Sequence, residues 1–253
     1  MKFFSTLLLV FLYQLTLSQN LVSADGLQSK RSIIKLNLIS PVLKNYSVQY
    51  EQVLTKRLSL ALGARIMPAS TLPFRQEIRK KIVDEDIDFV NEAIDKLKFS
   101  NYAITPELRF YPGRKGYGRG FYLAPYYRFA QYTIKEGRFS FDENGEHYDI
   151  DASGKVTAHT GGLLMGAQWQ LGKTLGLDFW IAGPGIGGAS GDISGKSSPT
   201  LSPDDQEELR TQLKKVDIPL TKETIYVDAN GGKIGLSGPW AGIRSGLLLT
   251  FRL

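Results

Sequence analysis

Eight charged side chains fall at alternate positions of extended segments whose other positions are apolar: Glu51, Arg65, Glu107, Arg109, Arg128, Asp178, Arg244 and Arg252. Carboxylates and guanidiniums in such places can move protons, hold an ion, or neutralise one another once withdrawn from water. Pairing is the chemistry expected here, as a polar network that fills an interior. A selective pore or small-ligand cavity is the sharper alternative. His147 and His159 are the only histidines, and with Ser153 or Ser190 they raise the possibility of a hydrolase triad. No Gly-x-Ser-x-Gly elbow accompanies them. Asp84, Glu85, Asp86 and Asp88 lack the Gly and alternating oxygen ligands of a calcium loop, and read as a solvated helix face. Gly183, Gly185 and Gly187 follow a strand and lead into no helix, which argues against a phosphate cradle. The expectation is therefore no catalytic residue, no cofactor, no metal and no enzyme.

The elements that must position those charges are strands, because the alternation has period two. Eight are expected: about 33–40, 46–54, 58–66, 104–110, 120–134, 156–171, one from Leu175, and a last one from about Leu236. In the third, Leu58, Leu60, Leu62, Ala64 and Ile66 share a face. In the last, Ile243, Ser245, Leu247, Leu249, Phe251 and Leu253 oppose Arg244, Gly246, Leu248, Thr250 and Arg252. Connections are short after the second, fourth and sixth strands and long after the third, fifth and seventh, the rhythm of an outer-membrane barrel with its long loops outside. Aromatics expected near strand ends or on outward faces, as girdles at the lipid interfaces, are Tyr50, Phe110, Phe121, Trp169, Trp240 and Phe251, together with Tyr46, Tyr127 and Trp180.

The long connections are read as insertions at 68–101, 135–155 and 183–234. Helical spacing of Phe74, Ile78, Ile82, Val90, Ile94 and Leu97 predicts a helix in the first. Ser202-Pro203-Asp204-Asp205, leading into Leu209, Leu213 and Val216, predicts another in the third. Gly183 to Gly195 reads as a mobile glycine-rich loop.

Lys2 and the apolar run Leu7 to Leu12 have the form of a secretory signal, with cleavage options after Ser18 and Ala24. Residues 25–253 are then one barrel domain. The chain has no Cys, which removes disulfides and thiolate sites. No later apolar run reaches eighteen residues, so helical spans are excluded while a barrel is not. The formal charge of +6 is spread along the chain without a basic cluster, and nucleic acid is not an expected partner. The fold class is thus all-β: an eight-stranded antiparallel transmembrane β-barrel with helical insertions in its long extracellular loops.

Ile34 to Leu38, Ile-Lys-Leu-Asn-Leu, and Tyr50-Glu51-Gln52-Val53-Leu54-Thr55-Lys56-Arg57-Leu58-Ser59-Leu60 form a segment of about thirty residues. It resembles the opening hairpin of a family of small bacterial outer-membrane β-barrels of uncharacterised function. Glu107-Leu108-Arg109-Phe110-Tyr111-Pro112 and the aromatic fifth strand agree with that family in pattern. The resemblance implies an eight-stranded barrel with no established catalytic residues. The functional expectation is a non-enzymatic barrel in the outer membrane of a Gram-negative envelope, acting in envelope structure or surface interaction through its long extracellular loops, with its lumen plugged by polar side chains. Its expected partners are outer-membrane lipids and lipopolysaccharide, and the barrel-assembly machinery through the C-terminal strand. The alternatives are a lipid-modifying barrel enzyme and a soluble lipocalin-like ligand binder.

Overall fold

Polar or small side chains alternating with Leu, Ile and aromatics suit a sheet whose two faces meet different surroundings. The computed structural model describes residues 30–71, 97–143, 146–214 and 220–253. In it this pattern forms β1 (Ser32–Asn37), β2 (Tyr46–Val53), β3 (Leu58–Ser70), β4 (Lys98–Phe110), β5 (Gly120–Glu143), β6 (Glu146–Gln170), β7 (Leu175–Ser198), β8 (Lys222–Asp228) and β9 (Gly231–Arg252). One helix, α1 (Pro203–Lys214), lies between β7 and β8, and a 3-10 turn at Ser40–Leu43 joins β1 to β2.

All pairings are antiparallel, in the order β1-β2-β3-β4-β5-β6-β7-β9-β8, and β1 also pairs with β9. Eight strands therefore close a ring, with β8 added outside it. The paired residues run from Leu36 through Val48, Ala64, Ile104, Phe129, His159 and Gly188 to Pro239 on β9. Leu36 itself pairs with Leu249, so one circuit climbs ten residues along β9. A stagger of this kind tilts the strands and lets a twisted sheet close without a free edge.

Three expectations about the connections need correction. Of the insertion expected at 135–155, residues 135–143 continue β5 and residues 146–155 belong to β6. Gly183 to Gly195 belongs to β7. The reason is steric: inward-facing glycines make room for tyrosines from β5. A Cβ at Gly185 would meet the Tyr126 hydroxyl, and one at Gly166 would meet that of Tyr122. The last strand begins at Gly231, not near Leu236, and forms a hairpin with the unanticipated β8. The helix expected from Ser202 is present as α1. Ser202 Oγ accepts a hydrogen bond from the Asp205 amide at 3.3 Å, as an N-cap should. Leu209 of α1 packs with Tyr148, Leu201 and Val227 in a small cluster beyond the ring. The helix expected from Phe74 and the export signal with its cleavage options fall outside the described residues.

The turns at 54–57, 111–119 and 171–174 define the lower end of the ring. β5, β6, β7 and β9 rise 22 to 25 residues from it, whereas β1 has 6 residues and β2 has 8. Among the described residues, no strand pairs with Pro239 to Gly246 on the side of β9 that faces β1, so the wall is low there. Outward positions are apolar and exposed: Leu60, Leu62 and Ile66 of β3 are 51, 52 and 55% accessible. Lys35, Glu51, Arg109, Asp178 and Arg252 point inward and are 0% accessible.

Candidate functional site

Inside the lower half of the ring, Arg109 of β4 is the hub of a polar layer. Its Nη1 donates to Asp178 Oδ2 at 2.7 Å, its Nη2 to Gln49 Oε1 at 2.7 Å and to Glu107 Oε2 at 3.1 Å. Lys35 of β1 donates to Asp178 Oδ2 at 2.7 Å and to Gln168 Oε1 at 2.6 Å, and forms an ion pair with Glu51. Two tyrosines complete the carboxylates: Tyr111 donates to Glu51 Oε1 and Tyr122 to Asp178 Oδ1, each at 2.8 Å. Ser59 donates to Glu51 as well. The Arg109 guanidinium also sits 4.4 Å over the Tyr122 ring. Buried charges need this density of partners to offset lost hydration. The result is a filled cross-section, in keeping with the narrow interior of eight strands.

Above this layer the lumen opens. Arg244 of β9 reaches down to Glu107 Oε1 at 2.6 Å, and its guanidinium lies 4.5 Å from the rings of both Tyr126 and Trp180. Two adjoining cavities of about 200 and 190 Å³ share Arg65, Arg128 and Arg244 in their walls. Arg128 Nε donates to Thr105 Oγ1 at 3.1 Å. Arg65 Nε and Arg244 Nε and Nη1 are buried without a protein acceptor among the described residues.

All eight charges singled out in the sequence face the interior, but at three levels. Glu51, Glu107, Arg109 and Asp178 form the polar layer, and Arg65, Arg128 and Arg244 line the opening above it. Arg252 lies at the lower end, where it donates to the carbonyls of Tyr117 and Lys30 at 2.8 and 2.9 Å and to Gln170 Oε1 at 3.2 Å. Arg119 is buried in the adjoining turn, which lowers its pKa from the ordinary arginine range.

Of the aromatics, Tyr50, Phe110 and Phe121 are exposed on the outer wall, and Phe251 and Trp169 are half-buried on the same face. Trp240 and Trp180 are corrections. Trp240 shares the parity of Arg244, lines the upper cavity and stacks on Tyr132 with centroids 5.2 Å apart. Trp180 is 5% accessible beside Arg244. Both are expected at strand ends or on outward faces from the sequence, but the Arg244 guanidinium offers the Trp180 indole a partner inside, and Tyr132 packs against Trp240 there. His159 is on the outer wall, 2.6 Å from the Tyr127 hydroxyl. Lys35, Gln49, Tyr111, Tyr122 and Gln168 join the polar layer without having been singled out in the sequence. Lys35 stands between Ile34 and Leu36 as a lone cation in an apolar strand, but that strand is too short for this alone to assign its face.

A family model described as "Protein of unknown function (DUF3575)" matches residues 7–190. The chain belongs to this family. No curated protein matches it. Among solved structures, the DUF3575 chain is similar to CarO of Acinetobacter baumannii, with 14% identity over 83% of this chain and 97% of that one and a TM-score of 0.34. It is also similar to a major outer membrane protein of Thermus thermophilus, with 11% identity over 88% of this chain and 98% of that one and a TM-score of 0.34.

Proposed function

We propose that this protein is a non-enzymatic outer-membrane β-barrel acting in envelope structure or surface interaction through its tall outer strands, with a lumen plugged by polar side chains. The observation that carries the reading is the inversion of its faces. A ring with Leu, Ile and aromatics on the outside and a fully buried ion-pair layer inside is stable where hydrocarbon surrounds it. In water the same outer wall would be a large exposed apolar patch, and a lipocalin-like binder would carry its apolar face inward instead. Membrane lipid and lipopolysaccharide are the partners this surface suits. The barrel-assembly machinery would engage it through β9.

Fractionation of expressing cells, followed by gel migration of the detergent-extracted protein with and without boiling, tests the proposal. Recovery with outer membranes and heat-dependent migration is expected. A soluble protein whose migration ignores boiling would overturn it. In planar bilayers the plugged lumen should pass no porin-sized current.

A further inference from the structure

The two levels of the lumen differ in charge. Lys35, Arg109 and Arg244 face Glu51, Glu107 and Asp178, three cations on three carboxylates, so the polar layer is balanced. Arg65 and Arg128 are surplus to it. Among the described residues, none that lines either upper cavity is acidic. Arg244 spends one nitrogen on Glu107 and keeps two more, buried and without a protein acceptor among the described residues, although the residue is only 6% accessible. Like charges crowded in a partly desolvated space repel, and a guanidinium fork left open is shaped for a carboxylate or phosphate.

The walls add a second feature. Tyr126 and Trp180 flank Arg244, and farther along the same two strands, β9 and β5, Trp240 stacks on Tyr132. Gly185, which also lines the space, seats the Tyr126 hydroxyl against the strand face. We propose that this cup is a binding site for a small soluble organic anion, a carboxylate or phosphate ester with a planar apolar body, received from the upper end. Arg65, Arg128 and Arg244 would hold the charge and the aromatic rings the body, while the polar layer beneath closes the floor. The cup is then a receptor site and not a stage of a channel.

The test is calorimetric titration of the detergent-solubilised full chain with benzoate, with neutral benzamide as the comparison and inorganic phosphate as competitor. Saturable benzoate binding, displaced by phosphate and absent for benzamide, is expected. The double variant Arg65→Gln/Arg128→Gln should weaken it at least tenfold with heat-dependent migration unchanged. Thr160→Glu, which brings a carboxylate to the cavity wall, should abolish it. Equal uptake of benzamide, no benzoate binding, or binding that survives both variants would overturn the site. A phospholipid that copurifies in stoichiometric amount with the wild type and not with the double variant would overturn its assignment to a soluble anion.

Discussion

At the scale of single residues, the lumen divides side chains of one type into two energetic classes. Arg109 is 0% accessible, and its loss would leave Glu51, Glu107 and Asp178 with too few cations. Removing one partner of a buried ionic cluster costs roughly 3–5 kcal/mol. Arg109→Met should therefore lower the unfolding free energy of the refolded barrel, measured in urea, by that much. Arg65→Gln, which removes a cation from a half-buried position with no acidic side chain among the described residues of the surrounding cavity walls, should shift it by less than about 0.5 kcal/mol. The charged members of the polar layer were legible because period-two alternation placed them opposite Leu and Ile. Lys35 was not, because a six-residue strand has too few alternations to assign its faces. Tyr111 and Tyr122 were hidden for another reason: a tyrosine suits a lipid interface or a lumen equally well, and only the position of Asp178 and Glu51 decides.

At the scale of elements, the glycines of β6 and β7 and the tyrosines of β5 are one packing unit. Gly166→Ala would drive a methyl group into the Tyr122 hydroxyl and should cost about 1–3 kcal/mol by overpacking. Tyr122→Leu removes both obstructing atoms of that side chain, the hydroxyl oxygen and Cζ, so the same alanine should cost measurably less in that background. A double-mutant cycle of unfolding free energies reads the coupling. Ser202→Ala should remove about 1 kcal/mol from α1 alone, seen as faster amide exchange in the helix with the ring unaffected. The start of α1 was legible because serine, proline and two acids each favour a helix N-terminus. The upper half of β7 was not. Glycine is silent in a hydropathy alternation, and the pairing of β7 with β9 shifts between Trp180 and Gly183. That shift moves the inward positions from Gly176, Asp178 and Trp180 to Gly183, Gly185 and Gly187, so a single period cannot run through it.

At the scale of the whole molecule, the proposed membrane setting makes its own prediction. Leu62 is at the middle of the apolar stripe of β3, and an arginine at the midplane of a lipid-facing wall costs about 2–4 kcal/mol. Leu62→Arg should lose that much in lipid vesicles, whereas on the wall of a soluble barrel it would be close to neutral. The eight-strand ring was legible at this scale because it needs only alternation, although the long connection expected after the fifth strand is instead a continuation of β5 and β6. The unequal height of its wall was not, because strand ends depend on pairing partners that lie far away in the chain. That height sets a length. Strands of 22 to 25 residues at about 3.3 Å per residue, tilted by about 40°, rise roughly 60 Å. A bilayer with its headgroups takes up about 40–45 Å of that. The remainder would stand clear of the lipid on one flank only, like a parapet, so a large body touching its rim would be held off centre and roughly 15–20 Å above the surface.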